Sequence, residues 1–192
     1  MAKQTRVTGP VGRVISPADL RTHCRITATL EDAYLDKLSD AAQDEAEAYT
    51  WRKLLKQTWD QFFDGFADPL YLRFPPLHSD GVTSVTYTDT AGDSQTLATS
   101  VYEVAEEDGI TVVRRKYNQT WPSTRSHEDV VTVRFVCGWD TVGDVPERFK
   151  QAIRIHVAHY YDPGRAGEQM PEMFWRLLSP LRMVKYQPIG AA

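Results

Sequence analysis

The side chains best suited to chemistry are two histidines and a carboxylate near the C-terminus, His156, His159 and Asp162. A spacing of three residues places both imidazoles on one side of a helix, with the carboxylate about one turn further on. Catalytic metals usually take three protein ligands, so the trio predicts a small metal-dependent hydrolase as one interpretation. The other interpretation, histidines packed on a helix beside Tyr160 and Tyr161, is favoured because a histidine pair alone does not fix a metal.

No stronger catalytic motif occurs in the chain. The phosphate-binding, dinucleotide-binding, nucleophile-elbow and zinc-protease motifs are all absent. Two cysteines, Cys24 and Cys137, are too few for a disulfide framework or a zinc site and indicate a reducing compartment. The N-terminus has no signal-peptide core, and no run of about 18 apolar residues occurs. We therefore expect no enzyme, no cofactor, no bound metal, no secretion and no membrane span.

A basic cluster, Arg114, Arg115 and Lys116, is followed by Tyr117 and Trp121, a mixture that suits phosphate contact and base stacking. The whole chain has 22 Lys and Arg against 26 Asp and Glu, a net charge of −4, which argues against a basic nucleic-acid binder. Three interpretations stay open for the cluster: a solvated hairpin end, a contact with DNA, or a contact with an acidic neighbouring subunit.

Aromatic residues make up 11% of the sequence, and three tryptophans fall at predicted loops or element ends. They are Trp121, Trp139 and Trp175. Large rings at such places are typical of interfaces, where they bury much area at a low entropy cost. They predict contacts between subunits, with ordinary anchoring of core or loop as the alternative.

Apolar residues spaced by three and four predict four helices around these residues. The helix starts share a capping side chain or a proline, and they fall at Ser16, Thr29, Asp144 and Pro171. The second helix is long, ends near Trp51, and carries a mostly acidic face that is expected to be solvated. The charged residues of that face are Glu31, Asp36, Lys37, Asp40, Asp44, Glu45 and Glu47.

Between Gln57 and Val136 the apolar period changes from 3.6 to 2. Short aromatic and β-branched runs separated by Gly, Pro, Asp and Ser predict a small antiparallel sheet or barrel. The expected fold class is α+β, a helical bundle formed by the N- and C-terminal helices with an inserted small antiparallel β lobe. The expected parts are a flexible arm (1–13), a helical core (14–56 and 144–183), the β lobe (57–143) and a tail (184–192).

The stretch from Val130 to Tyr161, which contains Val136-Cys-Gly-Trp-Asp and Val145-Pro-Glu-Arg-Phe, resembles the head-to-tail connector (adaptor) proteins of tailed bacteriophages. Three further stretches agree with that family, namely Ile15-Ser-Pro-Ala-Asp-Leu, Glu47-Ala-Tyr-Thr-Trp-Arg and Tyr117-Asn-Gln-Thr-Trp-Pro. The resemblance runs from about residue 14 to residue 183, and it includes the order of the predicted elements.

The resemblance implies a structural protein without catalysis. Family members form a ring, usually of twelve copies, beneath the portal of a DNA-filled head, and they continue the DNA channel to a head-closure or tail-completion protein. The implied partners are further copies of the chain, the portal protein, the downstream protein and double-stranded DNA in transit. The implied location is the neck of a virion, after synthesis in the cytoplasm of a bacterial host.

In this family the C-terminal segment commonly reaches into the portal. By position in the chain, the resemblance implies that the portal-binding residues are Leu181, Met183, Val184, Tyr186 and Ile189. The charged residues allow two predictions for the lining of the channel. If the acidic face of helix 31–51 lines it, carboxylates repel the phosphates and DNA passes freely; if Arg114 to Lys116 line it, the ring grips DNA.

Overall fold

The computed structural model describes residues 3–162, 164 and 167–183 of the 192-residue chain. These residues form four α-helices and two antiparallel sheets, which confirms the α+β class. The chain divides into two compact units. The strand unit comprises residues 1–12 and 53–144, and the helical unit comprises residues 13–52 and 145–192.

The helical unit contains the four α-helices. They are α1 (Pro17–Cys24), α2 (Asp32–Thr50), α3 (Glu147–Tyr161) and α4 (Glu172–Leu178), with α4 continued by a short 3-10 helix over Ser179–Leu181. Their apolar stripes meet in a core of aliphatic and phenylalanine side chains. Fully buried members are Leu20, Leu35, Ala42, Ala46, Phe149, Ile153, Val157, Phe174 and Leu178. Burial of these side chains is what stabilises this unit.

The start of α1 follows its sequence signature. Ser16 Oγ accepts a hydrogen bond from the amide of Asp19 at 3.1 Å, and Pro17 occupies the first helical position, where no amide partner is needed. Ile15 and Leu20 are both buried, as expected for the two residues of a hydrophobic staple at a helix start. The predicted cap of α1 is confirmed.

Two other predicted caps are wrong. Helix α2 begins at Asp32 rather than near Thr29, and its cap residue Glu31 makes no side-chain capping bond, because the Glu31 carboxylate accepts from Tyr161 while the Asp32 carboxylate pairs with Arg21 on α1. Before α3, Asp144 closes a 3-10 helix over Val142–Asp144, where its carboxylate accepts from the amide of Thr141 at 3.1 Å. In both places the carboxylate has a partner that competes with the helix amide.

The described residues of the strand unit form eight strands. They are β1 (Gln4–Thr8), β2 (Gln57–Phe63), β3 (Leu70–Tyr71), β4 (Leu77–Thr88), β5 (Ser94–Thr96), β6 (Tyr102–Glu107), β7 (Ile110–Arg115) and β8 (Val131–Cys137). One sheet has the strand order β1-β2-β8-β4-β5, and the other has the order β3-β7-β6. The central strand β8 buries Val131, Val133 and Phe135 in the core of this unit.

The N-terminal residues differ from the flexible arm expected over 1–13. Gln4–Thr8 form β1, which pairs antiparallel with β2, with Gln4 opposite Gln61 and Arg6 opposite Trp59. Most side chains of β1 are exposed, so this strand has no apolar period that the sequence could show. Its backbone bonds to the edge of β2 hold it in place.

A buried glutamine joins the two sheets of the strand unit. Gln61 on β2 donates from Nε2 to the carbonyl of Tyr71 at 2.8 Å, and its Oε1 accepts from the amide of Arg73 at 3.0 Å. Both polar ends of the amide are thereby satisfied inside the core. On the same strand, Asp60 receives two bonds from Arg134 of β8, at 2.8 and 2.7 Å, in a bidentate pair.

Candidate interaction surfaces

The two histidines of the predicted metal trio are buried on α3. His156 Nε2 donates to Glu45 Oε2 at 2.8 Å, and His159 Nε2 donates to the carbonyl of Glu168 at 3.3 Å. Burial lowers the pKa of His156, and the facing Glu45 carboxylate only opposes that shift, so the ring is neutral near pH 7. Among the residues that the structure describes, the buried Nδ1 atoms of both rings have no hydrogen-bond partner.

The third member of the trio, Asp162, is exposed after the end of α3, where its Oδ1 accepts from the amide of Gly164 at 2.9 Å. Within residues 3–162, 164 and 167–183, no three His, Cys, Asp or Glu side chains are placed to hold a metal ion. The trio therefore does not come together as a site. The histidines instead take the packing role that the sequence also allowed.

The acidic face predicted for α2 is largely used for contacts inside the helical unit. Arg13 lies 2.7 Å from Asp40 and 3.4 Å from Asp36, measured between guanidinium nitrogens and carboxylate oxygens. Glu47 is only 5% exposed, while Asp44 remains exposed. The predicted solvated acidic face is therefore present only in part, because several of its carboxylates pair with basic and polar groups from other parts of the unit and only Glu47 is buried.

The two ends of this face are linked to α3. Glu45 accepts from His156, and Glu31 accepts from the Tyr161 hydroxyl. The bond to Glu31 raises the pKa of Tyr161 to about 12. These links join residues more than 100 positions apart, so no local pattern in the sequence could have revealed them.

The basic cluster is paired within the strand unit. Arg114 Nε lies 2.7 Å from Glu103 Oε1, directly across the β6–β7 pair, and Arg115 Nε lies 3.3 Å from Asp68 Oδ2. Glu103 raises the pKa of Arg114 through its hydrogen bond and its charge. The two guanidinium groups are half exposed yet locally neutralised, which supports the interpretation as a solvated hairpin end.

Beyond these arginines, Lys116 donates from Nζ to the carbonyl of Thr99 at 2.9 Å, and Tyr117 is 92% exposed. By sequence, the strand unit holds 10 Lys and Arg against 14 Asp and Glu, whereas the helical unit holds 12 of each. The net negative charge of the chain therefore belongs to the unit that contains the basic cluster. A contact of the cluster with DNA or a neighbouring subunit stays a prediction.

Two of the three tryptophans pack on aromatic neighbours of their own unit. Trp121 stacks on Phe66, with ring centroids 4.8 Å apart and an angle of 6° between the planes. Trp175 lies 4.9 Å from the ring of Tyr49. Trp139 is half-buried. These contacts fit the anchoring alternative, and a role of the three rings between subunits stays a prediction.

The described part of the C-terminal segment is bonded to the end of α2. Arg52 Nε donates to the carbonyl of Leu181 at 2.7 Å, and the amide of Met183 donates to the carbonyl of Thr50 at 2.9 Å. The remaining predicted portal-binding residues lie outside the described residues, and they are Val184, Tyr186 and Ile189.

Comparison with known proteins gives one family and one fold. Residues 16–105 match the sequence model of the phage gp6-like head-tail connector protein family. A chain in the neck of an empty gene transfer agent (GTA) particle computed with C6 symmetry is 21% identical, with a TM-score of 0.77 over 97% of this chain and 98% of that one. Among curated proteins, none matches the chain.

Two further GTA structures give the same result. A chain in the virion of a native GTA particle is 21% identical, with a TM-score of 0.77 over 96% of this chain and 97% of that one. A chain in the neck of a native GTA particle computed with C12 symmetry is 19% identical, with a TM-score of 0.76 over 97% and 98%. At these identities the likeness establishes a shared fold.

The resemblance drawn from the sequence is confirmed by the match of residues 16–105, just under half of the chain, to the phage gp6-like head-tail connector protein family. The hydrolase alternative receives no support from these matches. Within the described residues, no helix is both long and apolar enough to cross a membrane.

Proposed function

We propose that this chain forms a homo-oligomeric ring in the neck of a phage-like particle, between the portal protein and a head-closure or tail-completion protein. The observation that carries the proposal is the family match over residues 16–105. The shared fold supports it, because similar chains occur in particle necks computed with C6 and C12 symmetry. In a ring of twelve copies, each copy would contact the next through the same heterologous interface, and the rotation between neighbours would close the ring.

The proposal includes a bundle-and-lobe architecture for each copy. The chain leaves the helical unit after Arg52 and returns to it at Val145, so residues 53–144 of the strand unit are inserted in the sequence of the helical unit, while residues 1–12 join the strand unit from the N-terminal side.

The proposal also has DNA passing through the ring without sequence-specific binding. Arg114 and Arg115, the cations best placed in sequence to grip phosphates, are paired with Glu103 and Asp68. The strand unit has an excess of carboxylates, which would repel a duplex. The acidic face of α2 contributes less than its sequence implied, because most of its carboxylates are paired or buried.

Electron microscopy of the purified chain mixed with the portal protein of the same particle tests the ring. We expect closed rings stacked on portals, and a truncation that removes residues 184–192 should still form rings but lose the stacking. Exclusively monomeric chain, with no portal-bound particles at any concentration, would contradict the proposal. A second assay mixes assembled rings with duplex DNA at low salt, where we expect no stable binding.

A further inference from the structure

Two strands of the strand unit end their sheets with a long open side. Strand β1 is the last strand of the five-stranded sheet, and β6 is the last strand of the three-stranded sheet. They have five and six residues, whereas the other two edge strands, β3 and β5, have only two and three. An edge strand presents a row of amides and carbonyls to which a further strand can pair. The β1 edge and the β6 edge are therefore the two places where the sheets of this unit could be extended.

The backbone of β6 directs alternate residues away from its sheet. Lys116, which follows β7, donates its amide to the carbonyl of Val101, just before β6, at 2.9 Å. Bonded and non-bonded pairs alternate along an antiparallel ladder, so the amides and carbonyls of Val104 and Glu106 point outward. Among the described residues, these outward groups meet no hydrogen-bond partner.

The same alternation places the backbone of Arg6 on the open side of β1. The amide of Phe62 on β2 donates to the carbonyl of Lys3 at 2.9 Å. Thr5 therefore bonds to β2 in the same way, and the amide and carbonyl of Arg6 next to it point outward. The register between β1 and β2 is regular as far as Arg6 and shifts after it.

The side chains at these outward positions carry opposite charges. Arg6 and Glu106 are both exposed, and within the part of the chain that the structure describes neither side chain has an ion-pair or hydrogen-bond partner. Each has charged neighbours of its own sign, namely Lys3 near Arg6, and Glu103 and Glu107 beside Glu106. The β1 edge is thus basic and the β6 edge is acidic.

We propose that the β1 edge of one copy pairs antiparallel with the β6 edge of the next copy in the ring, with Arg6 of the first copy opposite Glu106 of the second. This inference rests on the proposed function, in which copies of the chain form a ring. In that register the two residues exchange both of their backbone hydrogen bonds, because both backbones point outward. Their side chains then form a cross-strand pair of opposite charge.

The charges also favour a ring over a symmetric dimer. A ring needs two different surfaces on each copy that fit each other, and a basic edge and an acidic edge satisfy that need. Pairing of two β1 edges, or of two β6 edges, would instead bring like charges together, which destabilises a strand pair.

Charge reversal tests the pairing through the concentration at which half of the full-length chain is assembled into rings, measured by light scattering and electron microscopy. Arg6→Glu and Glu106→Arg each place like charges opposite each other, so we expect this concentration to rise about tenfold for either change. The two changes combined restore opposite charges and should return it to within about threefold of the unchanged chain.

Glu128→Arg is the matched control for these reversals. Glu128 is exposed in the loop before β8, so its reversal changes the net charge as much as Glu106→Arg does without touching either edge. It should leave ring assembly unchanged. Circular dichroism of each variant checks that the fold is kept.

A second measurement uses disulfide cross-linking of assembled rings with diamide as the oxidant. Arg6→Cys combined with Glu106→Cys places two cysteines opposite each other across the proposed contact, and a denaturing gel should show a ladder of covalent multimers. Arg6→Cys combined with Gln95→Cys, on the β5 edge, is the control and should give no more multimers than the unchanged chain.

The outcomes separate this inference from the proposed function. Rings that form without the ladder, or whose assembly the double reversal does not recover, would overturn the inference and leave the proposed function standing. Failure of the unchanged chain to form rings at any concentration would instead contradict the proposed function.

Discussion

The two units of the chain use charged and polar side chains in different ways. In the helical unit these groups link elements far apart in sequence, as in the pairs Glu45–His156 and Glu31–Tyr161. In the strand unit they pair between adjacent strands in register, as Asp60 does with Arg134. Helix faces can be covered by any distant segment, whereas a strand meets its partners along a fixed ladder. Cross-strand charge pairs therefore follow from the register once the strand pairing is known, whereas charge pairs on helices follow only from the tertiary packing.

The two units also differ in the interactions that stabilise each of them. The helical unit is stabilised mainly by the burial of large side chains, such as Phe149 and Phe174, which are fully buried. The strand unit contains in addition a point where two backbone segments touch, at Gly138 after β8. A change to the backbone at that point should therefore be more damaging than the loss of a large side chain from the helical core.

The largest expected effect is that of Gly138→Ala in the strand unit. Gly138 has a φ of +103°, and an added Cβ would lie 2.2 Å from the carbonyl oxygen of Leu55, which is far inside contact distance. We expect a loss of roughly 5 kcal/mol in the free energy of unfolding, at the upper end for single substitutions. Chemical denaturation followed by circular dichroism measures it.

Gly81→Ala is the matched control for this prediction. Gly81 also has a positive φ, +65°, but an added Cβ would meet nothing within 4 Å. It should cost only about 1–2 kcal/mol, the penalty of the left-handed conformation alone. Equal losses for the two variants would show that the close approach at Gly138 contributes nothing.

The next largest effect is that of Phe149→Ala in the helical unit. The ring is fully buried, so its removal loses the transfer free energy of the side chain and leaves a cavity, at a cost of about 4 kcal/mol. Met173→Ala, at a position 53% exposed on α4, is the control and should cost less than about 1 kcal/mol. If Phe149→Ala reduced the free energy of unfolding more than Gly138→Ala does, the expectation that the backbone contact in the strand unit matters more would be wrong.

The smallest effect at neutral pH concerns His156. Burial lowers the pKa of this histidine from its ordinary value of 6.5. The Glu45 carboxylate opposes this shift, and the nearby His159 adds to it. The folded state therefore binds a proton less readily than the unfolded state. Stability is therefore fully present above about pH 6.5 and is lost as the pH falls from there through the folded pKa.

Denaturation midpoints at pH 7.5 and pH 5.5 check this prediction. His156→Gln should reduce the difference between the two pH values, while His23→Gln, at an exposed position on α1, should leave it unchanged. An unchanged pH dependence in His156→Gln would mean that another group controls the acid sensitivity of the helical unit.

Most of the local structure could be predicted, and the errors have a common cause. The apolar spacings gave all four helices, and the aromatic and β-branched runs gave the strands from β2 to β8. Strand β1 was missed because its side chains are exposed and only its backbone is bonded. The caps expected at Thr29 and Asp144 failed because Arg21 and Thr141 compete for the carboxylates.

The candidate site residues were predicted less well than the fold. His156, His159 and Asp162 share a helix and its end, but their bonds run to Glu45, to the Glu168 backbone and to Gly164. The cluster at Arg114 looked available for DNA because its acidic partner Glu103 lies on another strand. Residue type and spacing describe one segment of the chain at a time. The hydrogen-bond and ion-pair partners of these side chains lie on other segments, so the pattern of one segment could not show them.

The amino-acid sequence by itself determined the α+β class, the cap of α1 and the resemblance to the head-tail connector family, because each depends on neighbouring residues or on ordered motifs. The tertiary structure alone decided which charges are paired, since their partners lie on other elements, as Arg13 does for Asp40 and Asp68 does for Arg115. It also decided that Leu181 and Met183 are held by Arg52 and Thr50. Such contacts depend on distances in space, which a linear pattern does not contain.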